Sequence, residues 1–299
     1  MSEQQEPAER HEAAETVRVA CIQMHPEIGE VARNVARSLE LCTEAADNGA
    51  TLLVLPELCN SGYVFETRSE AWNASEEVPQ GPTTTAWSDF CRKRGVYLVA
   101  GIAERAGQRL FNSSVVLGPE GHIGTFRKVH LWNRENLFFE PGDLGFPVFH
   151  TPIGRIATFI CYDGWFPEAY RACALQGADI ICVPTNWVPI PGQAEGSPAM
   201  ATVLAQANAH SNSVYIACAD RVGTERGQPF NGQSVIVSYT GWPLAGPASP
   251  EDEEILYADV DLGMARVARN WNDFNQPLRD RRPDVYEAVP SSISGSGAH

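Results

Sequence analysis

The chain has 299 residues and a net charge of -15, from 22 basic and 37 acidic side chains. That length accommodates one large α/β domain or two small ones, and the charge argues against nucleic acid or an anionic membrane as a partner. No apolar run approaches the ~20 residues that span a bilayer, and the N-terminus lacks the basic and apolar regions of a signal peptide, so a cytoplasmic location is expected.

Residues 1–15, MSEQQEPAERHEAAE, are acidic without apolar periodicity and read as a disordered tail. VRVACIQM (17–24) reads as a strand, and 31–48 as a helix ended by Gly49, with Val31, Val35, Leu39 and Cys42 about one turn apart. TLLVLPE (51–57) is a second strand, and TTTAWSDFCRKRG (83–95) a helix closed by glycine. VYLVAGIAER (96–105) and FNSSVVLG (111–118) are strands, with hairpin-like pairing expected near 110–125 and 230–262. RIATFICY (155–162), DIICVPT (179–185) and VYIACADR (214–221) alternate with helices near 167–176 and 199–211, and SVIVSYTG and EEILYADVDL complete the strands. The alternation predicts an α/β fold with a mixed sheet. No linker divides the chain, so one domain is expected over 16–285, followed by a small-residue tail over 286–299.

AADNGATLLVLPEL (45–58) and ACALQGADIICVPTNW (172–187) share one plan: a helix end, Gly-Ala, an apolar run, then proline and a polar residue. If this is a duplication, Glu57 and Asn186 occupy equivalent C-terminal strand ends, where α/β sheets line their ligand crevices. Two ordinary αβ units explain the pattern equally well.

Eight cysteines are present, several inside apolar runs, where they read as buried hydrophobes. None has C-x-x-C or zinc-ligand spacing, so neither a metal nor another cofactor is expected. Cys161 differs, because it stands where the strand of TFICYDGWFPEAY meets a helix start at Pro167-Glu168. A thiol on such a joint is presented at the sheet's C-terminal end, near backbone N–H groups able to hold an oxyanion. Taken alone, a cysteine ending an apolar strand is more often a core residue.

A thiol nucleophile needs a base. The seven histidines lack motif context, and His25 and His130 read as surface or satisfied polar residues. Glu57, inside VLPELCNSGY, follows an apolar strand toward the crevice, where apolar walls raise a carboxylate's proton affinity. Lys128, in TFRKVHLW, can set one positive charge against a developing oxyanion. Separately, each has an ordinary solvated reading.

The blocks VLPELCNSGY, FRKVHLW, ENLFFEPGD and ICYDGWFPEAYRACALQGADIICVPTNW, in that order, resemble the nitrilase superfamily of carbon–nitrogen hydrolases over about 17–285. The resemblance implies a four-layer α-β-β-α sandwich, with Glu57 as general base and Cys161 as the nucleophile that forms a thioester. It places Lys128 and the backbone N–H of Tyr162 on the oxyanion, and matches Glu135 to a second glutamate beside the lysine. It also implies a homodimer or larger assembly, with the segment after RNWNDFNQPLRDRRPDVY packing across a subunit boundary.

The residues around the nucleophile bear on the substrate. True nitrilases usually carry Cys-Trp-Glu, whereas Cys161-Tyr162-Asp163 resembles aliphatic amidases and formamidases, and WFPEA and ALQGA resemble N-carbamoylputrescine amidohydrolases. A small amide is the first expectation, an N-carbamoyl amine the second and a nitrile the third. Trp132, Phe138, Phe139, Trp165 and Trp187 are candidates for an aromatic wall, or equally for core packing. Asn186 or Trp187 is expected to touch substrate, while Arg134 and Arg171 remain uncommitted. Cys59 and Cys173 are the remaining thiols close to the expected site.

Overall fold

The computed structural model describes residues 16–193 and 196–286. The expected tails, 1–15 and all but the first residue of 286–299, lie outside the described residues. The first half runs β1 (Val17–Gln23), α1 (Val31–Asp47), β2 (Leu52–Val54), α2 (Arg68–Asn73), α3 (Pro82–Arg94), β3 (Tyr97–Ala106), β4 (Arg109–Gly118) and β5 (Gly121–Arg127). The second runs β6 (Val148–Thr151), β7 (Gly154–Thr158), α4 (Pro167–Leu175), β8 (Ile180–Pro184), α5 (Met200–Asn212) and β9 (Tyr215–Ala219). A small ribbon, β10 (Thr224–Glu225) with β11 (Gln228–Pro229), precedes β12 (Val235–Val237), β13 (Pro243–Ala245), β14 (Glu254–Val260), α6 (Leu262–Val267) and α7 (Pro283–Tyr286).

Two six-stranded sheets result, ordered β14-β1-β2-β3-β4-β5 and β13-β12-β9-β8-β7-β6. The apolar runs are continuous because both faces of each sheet are covered. In β1, Val19 and Cys21 point into the layer between the sheets, with Ile180 and Cys182 of β8, while Ala20 and Ile22 point outward to α1 and α3. In β8, Ile181 and Val183 face α4 and α5. The layers are therefore helix, sheet, sheet, helix, as expected.

Superposing β2 on β8 sets β1 on β7, β3 on β9, β4 on β12, β5 on β13 and β14 on β6, with every parallel or antiparallel relation preserved. The sequence echo thus corresponds to two halves of one topology. Helix ends follow local chemistry: α3 starts with proline in its first turn and stops at Gly95 in the left-handed conformation (φ 67°).

Three strands are markedly shorter than expected; SVIVSYTG is a strand only over Val235–Val237 before a turn at Tyr239–Thr240. The segment 51–57 pairs only over Leu52–Val54, before Pro56 removes a backbone donor. The segment 155–162 ends at Thr158 rather than Tyr162, because Asp163 folds the chain into a 3₁₀ turn over Cys161–Trp165. Asp163 N donates to Ile160 O at 3.0 Å, and its Oδ2 accepts from Ile160 N at 3.1 Å. Among the described residues, no helix is long and apolar enough to cross a membrane.

The fold positions Glu57 through a close backbone approach. Gly101 N, on β3, donates to Pro56 O at 3.1 Å. A Cβ on Gly101 would lie 2.5 Å from Glu57 Cα and 2.6 Å from Leu58 N. Gly101→Ala is therefore expected to destabilise the fold by about 1–3 kcal/mol, as overpacking does, and to displace Glu57. Denaturant unfolding with the activity of the folded fraction checks it; parent-like values in both would contradict the constraint.

Candidate active site

β5 runs parallel to β2 and β3, so the chain just past β5 emerges at the same sheet edge as the chain past β2. Lys128 follows β5 at that edge, and its N–H donates to Asn112 O of β4 at 2.8 Å. Glu57 follows β2, and both side chains are fully buried. Lys128 Nζ donates to Glu57 Oε1 at 2.6 Å and to Glu135 Oε1 at 2.7 Å. Glu135 lies in a 3₁₀ turn, Asn133–Leu137. Three of the expected residues thus form one buried cluster.

Burial acts to strip the Lys128 ammonium of its proton, but the Glu135 and Glu57 carboxylates outweigh it and hold the lysine charged. Glu135 is pushed up to about 7, mainly by burial and further by Glu57, against the pull of Lys128 and the Tyr63 hydroxyl. Tyr63 donates to Glu135 Oε1 at 2.6 Å. Asn112 Nδ2 donates to Glu57 Oε1 at 2.6 Å, while Glu57 Oε2 is buried without a hydrogen-bond partner.

Cys161 opens the turn after β7 and is 8% exposed, with φ 47°. That left-handed conformation is uncommon for a residue with a side chain and marks a position the surroundings hold in place. Burial raises the thiol's proton affinity, and Glu57 adds to it, while Lys128 opposes. Thr185 and the Asn186 backbone also favour the thiolate, although Thr185 Oγ1 completes no hydrogen bond of normal geometry. The resting sulfur is therefore a thiol. Tyr162 stands among the turn's first residues, whose N–H groups have no partner within the turn.

Asp163 ties this turn to the lysine segment. Its Oδ1 accepts from His130 N at 2.9 Å and pairs with His130 Nδ1 at 2.8 Å, and the imidazole stacks on Phe166 at 3.7 Å. His130 is a satisfied polar residue, as its sequence context suggested.

Two small cavities meet here. One, about 20 Å³, is lined by Cys161, Tyr162, Trp165, Asn186, Trp187 and Ile190, together with Trp132 and Val188. The other, about 70 Å³, has Glu135, Tyr63, Phe65, Phe138 and Phe139 in its walls and shares Trp132 and Val188. Trp132 therefore stands between them, edge-on to Tyr162 at 4.8 Å. Phe139 packs with Phe65 and also faces a cavity, so wall and core readings both hold for it.

Asn186 lines the Cys161 cavity, and its Nδ2 also donates to Glu57 O at 3.0 Å, so the amide holds the Glu57 backbone. Trp187 N is bound to Asp220 Oδ1 at 2.9 Å. Arg134 is exposed at the rim of the larger cavity, whereas Arg171 lines neither. Cys59 and Cys173 are buried in core clusters, with burial raising both thiols, Cys173 to about 12. Sequence reasoning missed Tyr63, Asn112 and Thr185. Tyr63 ends the VLPELCNSGY block six residues past Glu57 with no local sign of its partner, and Asn112 is one of three consecutive polar residues in its strand, with Ser113 and Ser114. Among the described residues, no group of three or more His, Cys, Asp or Glu could hold a metal.

Comparison with known proteins agrees with this architecture. The carbon–nitrogen hydrolase family profile matches residues 18–270. The chain belongs to that family, the nitrilase superfamily, and is a hydrolase of carbon–nitrogen bonds other than peptide bonds. A relative from Pyrococcus abyssi named nitrilase is 45% identical over 270 residues, covering 90% of this chain and 99% of its own. The Arabidopsis thaliana N-carbamoylputrescine amidase is 32% identical over 275 residues, covering 87% and 91%. Among solved structures, a carbon–nitrogen hydrolase from Helicobacter pylori superposes with a TM-score of 0.79 at 28% identity, covering 93% of this chain and 99% of that one.

The cluster's charge balance yields a pH signature. The Glu135 carboxyl is raised in the folded protein from 4.5 to about 7. Between those values the native state holds a proton that the unfolded chain has released, so this group's stabilisation is present below pH 4.5 and is lost as pH rises through 7. Glu135→Gln is expected to remove that slope. Urea unfolding of both proteins across the window checks it; parallel stability profiles would contradict a raised Glu135.

Proposed function

We propose that the protein is a thiol amidase that hydrolyses a small linear amide to a carboxylic acid and ammonia. The observation that carries this reading is the Glu135 carboxylate, fixed to Lys128 at 2.7 Å and exposed to the larger cavity. An amide nitrogen offers N–H donors to such an acceptor, whereas a nitrile offers none. Cavities of about 20 and 70 Å³ suit a short acyl group.

In the proposed reaction, Glu57 takes the Cys161 proton as sulfur bonds to the carbonyl carbon. The carbonyl π pair moves to oxygen, where Lys128 and the Tyr162 N–H stabilise the charge. As the pair returns, the carbon–nitrogen bond breaks, and Glu57 passes its proton to the departing nitrogen, giving ammonia and a thioester. Glu57 then takes a proton from one water, whose oxygen attacks the thioester. Collapse of the second oxyanion releases the acid, and the proton held by Glu57 returns to sulfur.

A second reading, hydrolysis of an N-carbamoyl amine, is supported by the relatives named N-carbamoylputrescine amidase, and such a substrate also presents N–H donors. The relative named nitrilase keeps nitriles as the third.

Ammonia release should be measured on short and aryl amides, N-carbamoyl amines and nitriles, with Cys161→Ala as the blank. Amide turnover is expected to vanish in Cys161→Ala and to fall about 10²–10⁴-fold in Glu57→Gln. Turnover confined to carbamoyl compounds or nitriles would overturn the amide assignment. Turnover that survives in Cys161→Ala would overturn the nucleophile.

A further inference from the structure

Glu225 lies outside the cluster just described, yet it controls one wall of it. It is 5% exposed and follows β9 in the second half of the chain. Its Oε1 accepts from Arg221 Nη1 at 2.8 Å, and its Oε2 from Tyr63 N at 2.8 Å and from Val64 N. Arg221 is fully buried, donates from Nη2 to Pro26 O at 2.8 Å, and lies over the Phe230 ring at 4.2 Å. Phe230 meets Tyr63 edge-on at 5.8 Å. Gly62 admits the carboxylate: a Cβ there would lie 3.0 Å from Glu225 Oε1.

One ion pair thus joins segments following β1, β2 and β9. A buried pair of this kind is weak evidence for stability, because its desolvation offsets most of its attraction. What it supplies is direction. Two successive backbone N–H groups point at one carboxylate oxygen, and this orients the peptide that carries the Tyr63 ring. At the far end of that ring, the hydroxyl meets Glu135 Oε1 at 2.6 Å, and Glu135 meets Lys128.

We propose that Glu225 is a positioning residue for the amide-cleaving site, acting through the Tyr63–Val64 backbone to set where the Tyr63 hydroxyl holds Glu135. The proposal rests on the reading that Glu135 receives the amide nitrogen. Glutamine at 225 cannot reproduce the contacts, because its NH₂ would face either the Arg221 guanidinium or the Tyr63 and Val64 N–H groups, donor against donor.

Glu225→Gln, Tyr63→Phe and the double variant form a cycle, each assayed where circular dichroism shows it folded. Glu225→Gln is expected to lower kcat/KM for the amide by about 10²-fold, the scale of an ångström-level misplacement. The double variant should be no worse than the more damaged single one, since both act on the same hydroxyl. Both single variants should move the acid limb of the kcat/KM profile to higher pH, because each weakens a donor that lowers Glu135. Multiplying effects, or an unmoved limb, would overturn the proposal. Should Glu225→Gln not fold, Phe230→Leu, which loosens the packing of Arg221 and Tyr63, is expected to shift the limb the same way; an unmoved limb there would also overturn it.

A second readout needs no turnover: the rate at which chloroacetamide alkylates Cys161, divided by its rate with methyl methanethiosulfonate, which carries no amide. A parent enzyme with no preference for chloroacetamide would fault the amide reading itself. A parent preference that persists in Glu225→Gln would fault the Glu225 proposal alone.

Discussion

A single ammonium carries the site. Lys128 Nζ is fully buried and held by two carboxylates that would repel each other without it. With both carboxylates ionised the trio has a net negative charge, and burial drives it to take up a proton. Glu135 is the group that rises, to about 7. Burial and the neighbouring Glu57 carboxylate thus set the protonation of Glu135 against the pull of Lys128. Removing the lysine would leave buried charge without compensation, the situation in which breaking an ion pair is most damaging.

The fold supplies the means of burying that charge. Two halves of one topology pack face to face, and the C-terminal ends of their parallel strands open toward the same space. Glu57 and Lys128 come from the first half; Cys161, Thr185 and Asn186 come from the second. Asn186 crosses between them to hold Glu57 O, and β14 returns to pair with β1, so the register of the halves is fixed at both ends. Unpartnered buried atoms gather at this junction: Glu57 Oε2, Asn112 Oδ1, Thr185 Oγ1, Asn186 Oδ1 and Asp220 Oδ2. Native interiors contain few such atoms.

Much of this was legible in the sequence, for definite reasons. Strands buried on both faces leave apolar runs such as DIICVP, and helices that cover a sheet leave a 3.6-residue period such as Val31, Val35 and Leu39. Glu57, Lys128, Glu135 and Cys161 each stand in a block distinctive enough to be compared with a family. Asn112 and Glu225 stand in no such block, and Tyr63 only closes the block of Glu57; none of the three is marked locally, because their importance comes from contacts 55, 162 and 72 residues away in the chain. The end of β7 was misjudged for a related reason. FICY is apolar enough to continue a strand, but the Asp163 side chain captures the Ile160 N–H and turns the chain early. That early turn is what gives Cys161 its left-handed backbone.

In the reaction proposed above, the proton route follows from the same geometry. A sulfur raised by burial and by Glu57 is not a standing thiolate, so its proton must leave as the carbon–sulfur bond forms. Glu57 Oε1 is already occupied by Lys128 and Asn112, and Oε2 is the oxygen left free to receive it. The two oxygens of one carboxylate thus differ, one anchored and the other without a hydrogen-bond partner. In Glu135, Oε1 takes Lys128 and Tyr63, and Oε2 takes only the long contact from Trp132 N at 3.3 Å. That weakly held oxygen is the one with unfilled acceptor capacity. On the proposed reading, substrate selection depends on how firmly the Glu135 carboxylate is oriented, and the residues that orient it come from the same loops that wall the cavity.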